Sequence, residues 1–189
     1  MAELPIVHFA SAQDWEQWLE QNHTDSPGLW LKLAKAGSGH ASVSYQEALD
    51  LALCFGWIDG QKGAFDDEFW LQKFTQRRPK SIWSQVNREK IAALTAAGNM
   101  REAGLRQVEA AKADGRWDAA YASPKNMTVP EDFQAALDQH PAALAFWGKL
   151  NSTNRYAILH QIVTAKKAET RQKRIEKFIQ MLTENKKLY

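Results

Sequence analysis

The chain has a single cysteine, Cys54, so it cannot form an internal disulfide. Disulfide frameworks are typical of small exported domains, and this absence favours a reducing compartment. No apolar run approaches the roughly 18 residues of a membrane-spanning helix. The N-terminal residues MAELPIVHFA also show no basic region ahead of a long apolar core. These absences lead us to expect a cytoplasmic protein without a transmembrane segment.

The chain also has little net charge. Its formal charge is +2, from 24 Lys and Arg against 22 Asp and Glu, which is too small to indicate a nucleic-acid partner. The distribution is uneven, because residues 165–189 hold eight Lys and Arg against three Asp and Glu. This basic tail could attract nucleic acid or an acidic surface, or it could be the hydrated face of a docked helix. The cations in question are Lys166, Lys167, Arg171, Lys173, Arg174 and Lys177.

No catalytic or metal-binding signature is present. The five histidines have no ligand spacing with one another or with Cys54, so a zinc site of the usual kinds has no support. The glycine-rich residues 37–39 lack a P-loop lysine and the dinucleotide spacing. The carboxylates of residues 66–68 fit a solvated turn better than a cation site. We therefore expect no metal and no cofactor.

The composition is that of a folded globular protein. Hydrophobic residues make up 44% of the chain and charged residues 24%, and six of the eight tryptophans precede residue 84. Short β-prone runs and helices mix up to that point, and helical patterns follow. We predict an α+β fold with a small, mainly antiparallel sheet, packed helices and a helical C-terminal segment. The predicted divisions are an α/β domain at 1–117, a connector at 118–130 and a helical module at 131–189.

The stretch 44–88 carries the most information. Ser44 and Glu47 have capping-box spacing ahead of apolar residues at helical spacing, and Gly56 is well placed to end that helix. The pair Asp59-Gly60 is typical of a two-residue hairpin turn, so we predict a chain reversal there. An outgoing strand is expected over residues 65–74.

The segment after that strand combines cations with a tryptophan. Pro79 forces Arg78 into an extended conformation, which predicts a loop over residues 76–83. Downstream, the patterns predict helices at about 130–140, 141–150 and 168–183. Between the last two they predict a further helix, capped by Asn151 or Ser152 and carrying Tyr156, Leu159, Ile162 and Val163.

A hairpin folded back beside this loop would bring an aspartate, several cations and two indoles to one cleft. The planar fork of arginine matches carboxylate or phosphate, and an indole offers a stacking face. Such a cleft suits a small anionic or aromatic ligand. Alternatively, the arginines pair with residues 66–68 and the tryptophans belong to the core. The candidate ligand-binding residues are Trp57, Asp59, Lys62, Arg77, Arg78, Lys80, Trp83 and Asn87.

Four segments resemble the bacterial YdeI/OmpD-associated proteins, also labelled bacteriocin-protection proteins. They are GLWLKLAKAGSG, SYQEALDLALCFGWIDGQK, FWLQKFTQRRPKSIWSQVNREK and TAKKAETRQKRIEKFIQML, and they span nearly the whole chain. The resemblance implies a YjbR/CyaY-like α+β N-terminal part, and the last segment resembles the small module that gives the family its name. The label implies protection against antimicrobial peptides and association with a porin in the periplasm, whereas the absent export signal here favours the cytoplasm.

Three functions follow. The first is a non-enzymatic stress or antimicrobial-peptide protection protein that binds a small anionic ligand or a partner in the Trp/Arg-lined cleft. The second is an enzyme of unrecognised type with Asp59 as general base, which requires Asp59 to face a cavity with Arg77 or Lys80 across it. The third is a binder of nucleic acid or an acidic surface through the C-terminal helix, whose apolar stripe could also hold a protein partner. We do not expect nucleic acid to be the partner.

Overall fold

The computed structural model describes residues 3–189 and shows the predicted α+β architecture. The strands are β1 (Ile6–His8), β2 (Leu29–Ala34), β3 (Trp57–Ala64) and β4 (Phe69–Gln76). The helices are α1 (Ala12–Asn22), α2 (Tyr45–Cys54), α3 (Gln85–Ala96), α4 (Glu102–Ala113), α5 (Glu131–Asp138), α6 (Pro141–Lys149), α7 (Ser152–Val163) and α8 (Ala168–Thr183).

The four strands form one sheet in the order β1-β2-β4-β3. Only the β1 and β2 pair is parallel, so the described sheet is mainly antiparallel, as predicted. Side chains alternate between the two faces of a strand, and Leu29, Leu31 and Leu33 of β2 are all buried on the same face. That face packs into the core with α1 and α2.

The predicted hairpin turn at Asp59-Gly60 is wrong. Both residues lie inside β3, where the pairing register with β4 shifts between Asp59 and Lys62. The chain instead reverses between β3 and β4, where the Asp66 carboxylate accepts hydrogen bonds from the backbone amides of Glu68 at 2.9 Å and Phe69 at 2.7 Å. The Asp59-Gly60 pair therefore lies at an irregularity in the pairing of β3 with β4. The turn between the two strands is stabilised by Asp66, whose side chain accepts hydrogen bonds from backbone amides of the same turn.

The capping-box prediction for α2 is confirmed. The Ser44 hydroxyl accepts from the Glu47 amide, and the Glu47 carboxylate accepts from the Ser44 amide and hydroxyl. These bonds hold the pKa of Glu47 below its usual value. Gly56 follows the helix with a φ of 77°, a conformation that favours glycine. The chain therefore turns sharply from α2 into β3.

The chain folds into two compact units. Unit 1 contains the residues up to Trp83 together with Asn87–Ala120, and unit 2 contains Ser84–Val86 with Tyr121–Tyr189. The predicted connector at 118–130 and its flanking domain limits stay predictions. Within residues 3–189, no helix has the length and apolar content needed to cross a bilayer.

Each unit has its own hydrophobic core. The sheet and α1 to α4 all contribute to the core of unit 1, in which Trp15, Trp57 and Trp83 are fully buried. In unit 2 the core comes from α5 to α8 and includes Phe133, Leu137, Ile158, Ile162, Phe178 and Leu182. The C-terminal helices lie where the sequence predicts them, and α8 has the predicted limits.

Candidate functional site

The contacts of the predicted site residues fall into two sets, both in unit 1. Asp59 and Lys62 belong to the first set, beside α2. The Tyr45 hydroxyl donates to Asp59 Oδ2 at 2.8 Å, and Lys62 Nζ lies 4.3 Å from the centre of the Trp70 ring. The centres of the Tyr45 and Trp70 rings are 6.1 Å apart. The side chains of Tyr45, Asp59, Lys62 and Trp70 are therefore neighbours, on the face of the sheet that is covered by α2.

This arrangement gives no support to Asp59 as a general base. That role requires a cavity with Arg77 or Lys80 opposite the carboxylate. Three cavities in the described part of the chain have volumes of about 410, 430 and 150 Å³, and Asp59 lines none of them. The structure instead gives Asp59 a hydrogen bond that ties β3 to the start of α2.

Arg77 and Trp83 form the centre of the second set. The guanidinium carbon of Arg77 lies 3.5 Å from the centre of the Trp83 ring, and Arg77 is only 5% exposed. Its Nη1 donates to the carbonyl of Ile82 at 3.3 Å, and its backbone amide donates to the carbonyl of Gly56 at 3.0 Å. A cation over an indole is attracted more strongly when water is excluded, so this stack holds the loop after β4 in place.

Trp117 extends this centre from the segment after α4. Its ring meets Trp83 edge to face with centres 4.9 Å apart. The guanidinium carbon of Arg88 lies 5.2 Å from the centre of the Trp117 ring, and Lys112 Nζ lies 5.6 Å from it. Two helices, α3 and α4, thus each bring a cation to the same indole.

Arg116 fastens the loop to the end of α4. Its Nε donates to Asp114 Oδ2 at 2.7 Å, and its Nη1 donates to the carbonyl of Ser81 at 2.9 Å. The Arg116 side chain is 12% exposed, so the guanidinium group is well shielded from water. We call Arg77, Trp83, Arg88, Lys112, Arg116 and Trp117 the Arg–Trp cluster.

The other predicted residues have separate positions. Arg78 and Lys80 are exposed in the loop that leads to Trp83, and Asn87 is buried at 9% exposure on α3. Trp57 is a core residue whose Nε1 donates to the carbonyl of His23 at 3.0 Å, and it also lines the cavity of about 150 Å³. The alternative interpretation of the tryptophans therefore holds for both Trp57 and Trp83, which are buried in the core of unit 1.

The surface of the Arg–Trp cluster is cationic. Two cations of the cluster, Arg88 and Lys112, and two cations of the adjoining loop, Arg78 and Lys80, make no ion pair with a carboxylate of residues 3–189. The alternative pairing of the arginines with residues 66–68 is not seen among residues 3–189, where Asp66 accepts from backbone amides and Glu68 Oε2 lies 2.9 Å from His40 Nε2. Arg88 and Lys112 lie over Trp117, and Arg78 and Lys80 are exposed in the loop that leads to Trp83, so these four cations can attract an anion.

The cluster contains residues that the sequence pattern did not single out. Arg88, Lys112, Arg116 and Trp117 were all missed. Lys112 and Trp117 are separated from Trp83 by about 30 residues, and their α4 segment meets the loop only through tertiary packing. The one available signal was the lone tryptophan at 117 in an otherwise polar segment.

Two family models match the chain. A domain of unknown function (DUF8412) matches residues 7–107, which is more than half of the chain and falls almost entirely in unit 1. The chain belongs to this family. A second model, described as bacteriocin-protection, YdeI or OmpD-associated, matches residues 126–185. The resemblance to YdeI/OmpD-associated proteins is therefore confirmed for the C-terminal region, which contains α5 to α8.

Comparison with curated proteins and with solved structures gave no match. The expected likeness of the N-terminal part to the YjbR/CyaY-like fold thus stays a prediction.

The YdeI/OmpD-associated region uses its arginines to hold its helices together. Arg171 Nε and Nη2 donate to Asp132 Oδ2 at 2.6 Å and Oδ1 at 2.8 Å, and Nη1 donates to the carbonyl of Ile162 at 3.1 Å. This bonding holds the pKa of Asp132 below its usual value and raises the pKa of Arg171. Arg174 donates to the carbonyl of Gln161. Both arginines of α8 therefore donate to carbonyls in the last turn of α7, which ties the two helices together.

These bonds reduce the charge that the tail can offer to a partner. Lys173 pairs with Glu169 one turn away at 2.6 Å, and Lys177 Nζ lies 6.0 Å from the ring centre of Phe178. The apolar stripe of α8, formed by Ile175, Phe178, Ile179 and Leu182, is buried in the core of unit 2. The geometry thus favours the interpretation of α8 as a docked helix with a hydrated basic face.

Proposed function

We propose that this protein is a non-enzymatic binding protein that takes a small anionic ligand on the Arg–Trp cluster, and that this binding serves a protective role. The observation that carries the proposal is that Arg88 and Lys112 lie over Trp117 and that these two cations, with Arg78 and Lys80 of the adjoining loop, make no ion pair with a carboxylate of residues 3–189. A cation without a counter-ion among residues 3–189 is available to an anion from outside the protein.

The geometry suits a ligand that combines negative charge with a flat group. Guanidinium groups form paired hydrogen bonds with carboxylate or phosphate oxygens, and Arg88 brings such a group near the Trp117 ring. Arg78 and Lys80 are exposed in the adjoining loop, so they can approach a ligand without loss of core packing. The buried Arg77 acts as a support, because its stack on Trp83 orders that loop.

A protective role is suggested by the YdeI/OmpD-associated match, whose description includes bacteriocin protection. We extend that role to this chain as part of the proposal, together with a bacterial origin and a cytoplasmic location. A single, buried and free cysteine supports a reducing compartment.

The test is a titration of the full chain with phosphate, citrate and benzoate, followed by calorimetry and by the melting temperature. Arg78→Ala and Arg88→Ala should each weaken the binding of an anion about tenfold, because each removes one charge-assisted contact. Affinity should also fall as ionic strength rises, since the contacts are close to solvent. Lys62→Ala is the matched control, because Lys62 is a cation over a different indole, Trp70.

Two results would contradict the proposal. One is that none of the three anions binds to the full chain. The other is that an anion binds with the same affinity to wild type, Arg78→Ala and Arg88→Ala, in which case the cluster serves only to hold the loop.

A further inference from the structure

Unit 1 contains a second place for a ligand, and its lining shares no residue with the Arg–Trp cluster. A cavity of about 430 Å³ lies between α1, α2 and the segment that joins α3 to α4. This volume falls in the range of about 300–1,000 Å³ that is typical of small-molecule sites. None of the eight residues proposed from the sequence lines this cavity.

The polar part of the lining is rich in carboxylates. Glu16, Glu47 and Asp50 all line the cavity, and Arg101 is the one cation among the residues around it. Arg101 is already occupied, because its Nη2 donates to Glu16 Oε1 at 2.7 Å and lies 3.6 Å from Glu20 Oε1. Lys90, which does not line the cavity, pairs with Asp50 at 2.6 Å, so three carboxylates meet two cations and the field inside the cavity is that of one net negative charge.

Each of these carboxylates is held in place through one oxygen. Arg101 bonds Glu16 Oε1, Ser44 bonds Glu47 Oε2 and Lys90 Nζ bonds Asp50 Oδ1 at 2.6 Å. Within residues 3–189, the second oxygen of each group accepts no hydrogen bond. The site thus has three carboxylates in fixed positions, each with one oxygen that can still accept a hydrogen bond. A ligand group with several N–H donors could bond to all three of these oxygens.

The rest of the lining is apolar. Ala12, Leu51, Leu94 and the thiol of Cys54 also line the cavity. Cys54 is only 2% exposed, and its burial raises its pKa to about 11, so the thiol stays neutral near pH 7. A ligand that fits both parts has a positively charged head and a short hydrocarbon chain.

We propose that this cavity binds a small organic cation of the aliphatic amine class. Its ammonium group donates hydrogen bonds to the free carboxylate oxygens of Asp50, Glu16 and Glu47, and its alkyl chain packs on Leu51 and Leu94. A carboxylate ligand is disfavoured by the same field, and so is a large aromatic ligand, because no aromatic side chain lines the cavity.

The sole cysteine gives a direct readout of occupancy. The rate at which 4,4′-dithiodipyridine, a neutral reagent, modifies Cys54 is measured on the full chain with 1,4-diaminobutane, butylamine, butyrate or sodium chloride at equal ionic strength. Either amine should slow the modification about fivefold or more, since an occupied cavity blocks the approach to the thiol. The melting temperature should rise with the same concentration dependence, because a ligand that binds the folded state stabilises it.

Variants of the lining carboxylates test whether they bind the ammonium group. Asp50→Asn keeps the size of the side chain and should raise the amine concentration for half protection about tenfold. Glu16→Gln should act in the same direction and stands in for Asp50→Asn if that variant does not fold. Glu109→Gln is the control, because Glu109 is an exposed carboxylate on α4 that does not line the cavity.

The proposal is overturned if neither amine slows modification or raises the melting temperature. It is also overturned if butyrate or sodium chloride protects Cys54 as well as the amines do, since the effect would then be general screening. Equal amine protection in wild type and in the carboxylate variants would place the amine elsewhere. None of these outcomes depends on Arg78 or Arg88. The test of the amine site is therefore independent of the test of the anion site on the Arg–Trp cluster.

Discussion

Replacing Gly104 by alanine should destabilise unit 1, although alanine is the better helix former. Gly104 lies in α4 against the end of α2. A Cβ atom built there would be 2.2 Å from the carbonyl oxygen of Cys54 and 2.8 Å from that of Leu53. Both neighbours are backbone atoms, so neither can rotate away. The same Cys54 oxygen accepts the backbone amide of Arg101 at 3.1 Å, and this bond would be stretched as the helices separate.

The magnitude follows from two opposing effects. Alanine stabilises a helix interior by about 1 kcal/mol relative to glycine. To relieve a contact this short, α4 has to move about 1 Å away from α2, and overpacking of this kind typically costs about 1–3 kcal/mol, and more where backbone must shift. The buried Val108 and Ala111 on the same helix would lose packing as well. We expect a net loss of about 2 kcal/mol in the free energy of unfolding of unit 1.

Urea unfolding followed by tryptophan fluorescence measures this loss, because seven of the eight tryptophans lie in unit 1. The matched control is Gly148→Ala in α6 of unit 2, where an added Cβ meets no atom within 4 Å. That variant should keep or raise stability, as followed by far-ultraviolet circular dichroism. If Gly104→Ala were as stable as wild type, the close approach of α2 and α4 would be wrong.

Two further predictions concern titratable groups. Arg171→Ala should destabilise unit 2 by about 0.5–1 kcal/mol at pH 7, a modest figure because Asp132 is largely open to solvent. The pKa of Asp132 is lowered in the fold, so the benefit is present above its ordinary value of 3.8 and is lost as pH falls below it. The difference in melting temperature between wild type and variant should therefore shrink in acid, and a difference that does not change with pH would contradict the role of the pair. Burial raises the pKa of Cys54 to about 11, so its rate of modification by a thiol reagent should still be rising at about pH 10, whereas a plateau near pH 9 would refute this shift.

The helices were predictable because their signals are local. Ser44 and Glu47 are three residues apart, and their reciprocal bonds form within a single turn. The apolar stripe of α8 recurs at helical spacing and is buried as expected. The Asp59-Gly60 turn failed for the opposite reason, since pairing of β3 with β4 along its length outweighed a two-residue preference.

The candidate site was predictable only where its members are close in sequence. Arg77 and Trp83 are six residues apart in one loop, and the structure stacks them. Asp59 and Lys62 were grouped with them on the assumption of a hairpin turn. The strand that replaces this turn carries both residues to Tyr45 and Trp70.

By itself the sequence determined the helix starts, the α+β class and the chemical types available for binding, because each depends on hydrogen bonds and side-chain spacing within a few residues. Packing alone decided which cations share an indole and which carboxylates share a cavity. Arg88, Lys112 and Trp117 meet because α3 and α4 pack beside the loop, and Glu16 meets Asp50 because α1 packs on α2. Arg88 and Trp117, like Glu16 and Asp50, are about 30 positions apart in the chain, and apolar burial over the whole of unit 1 is what brings them together.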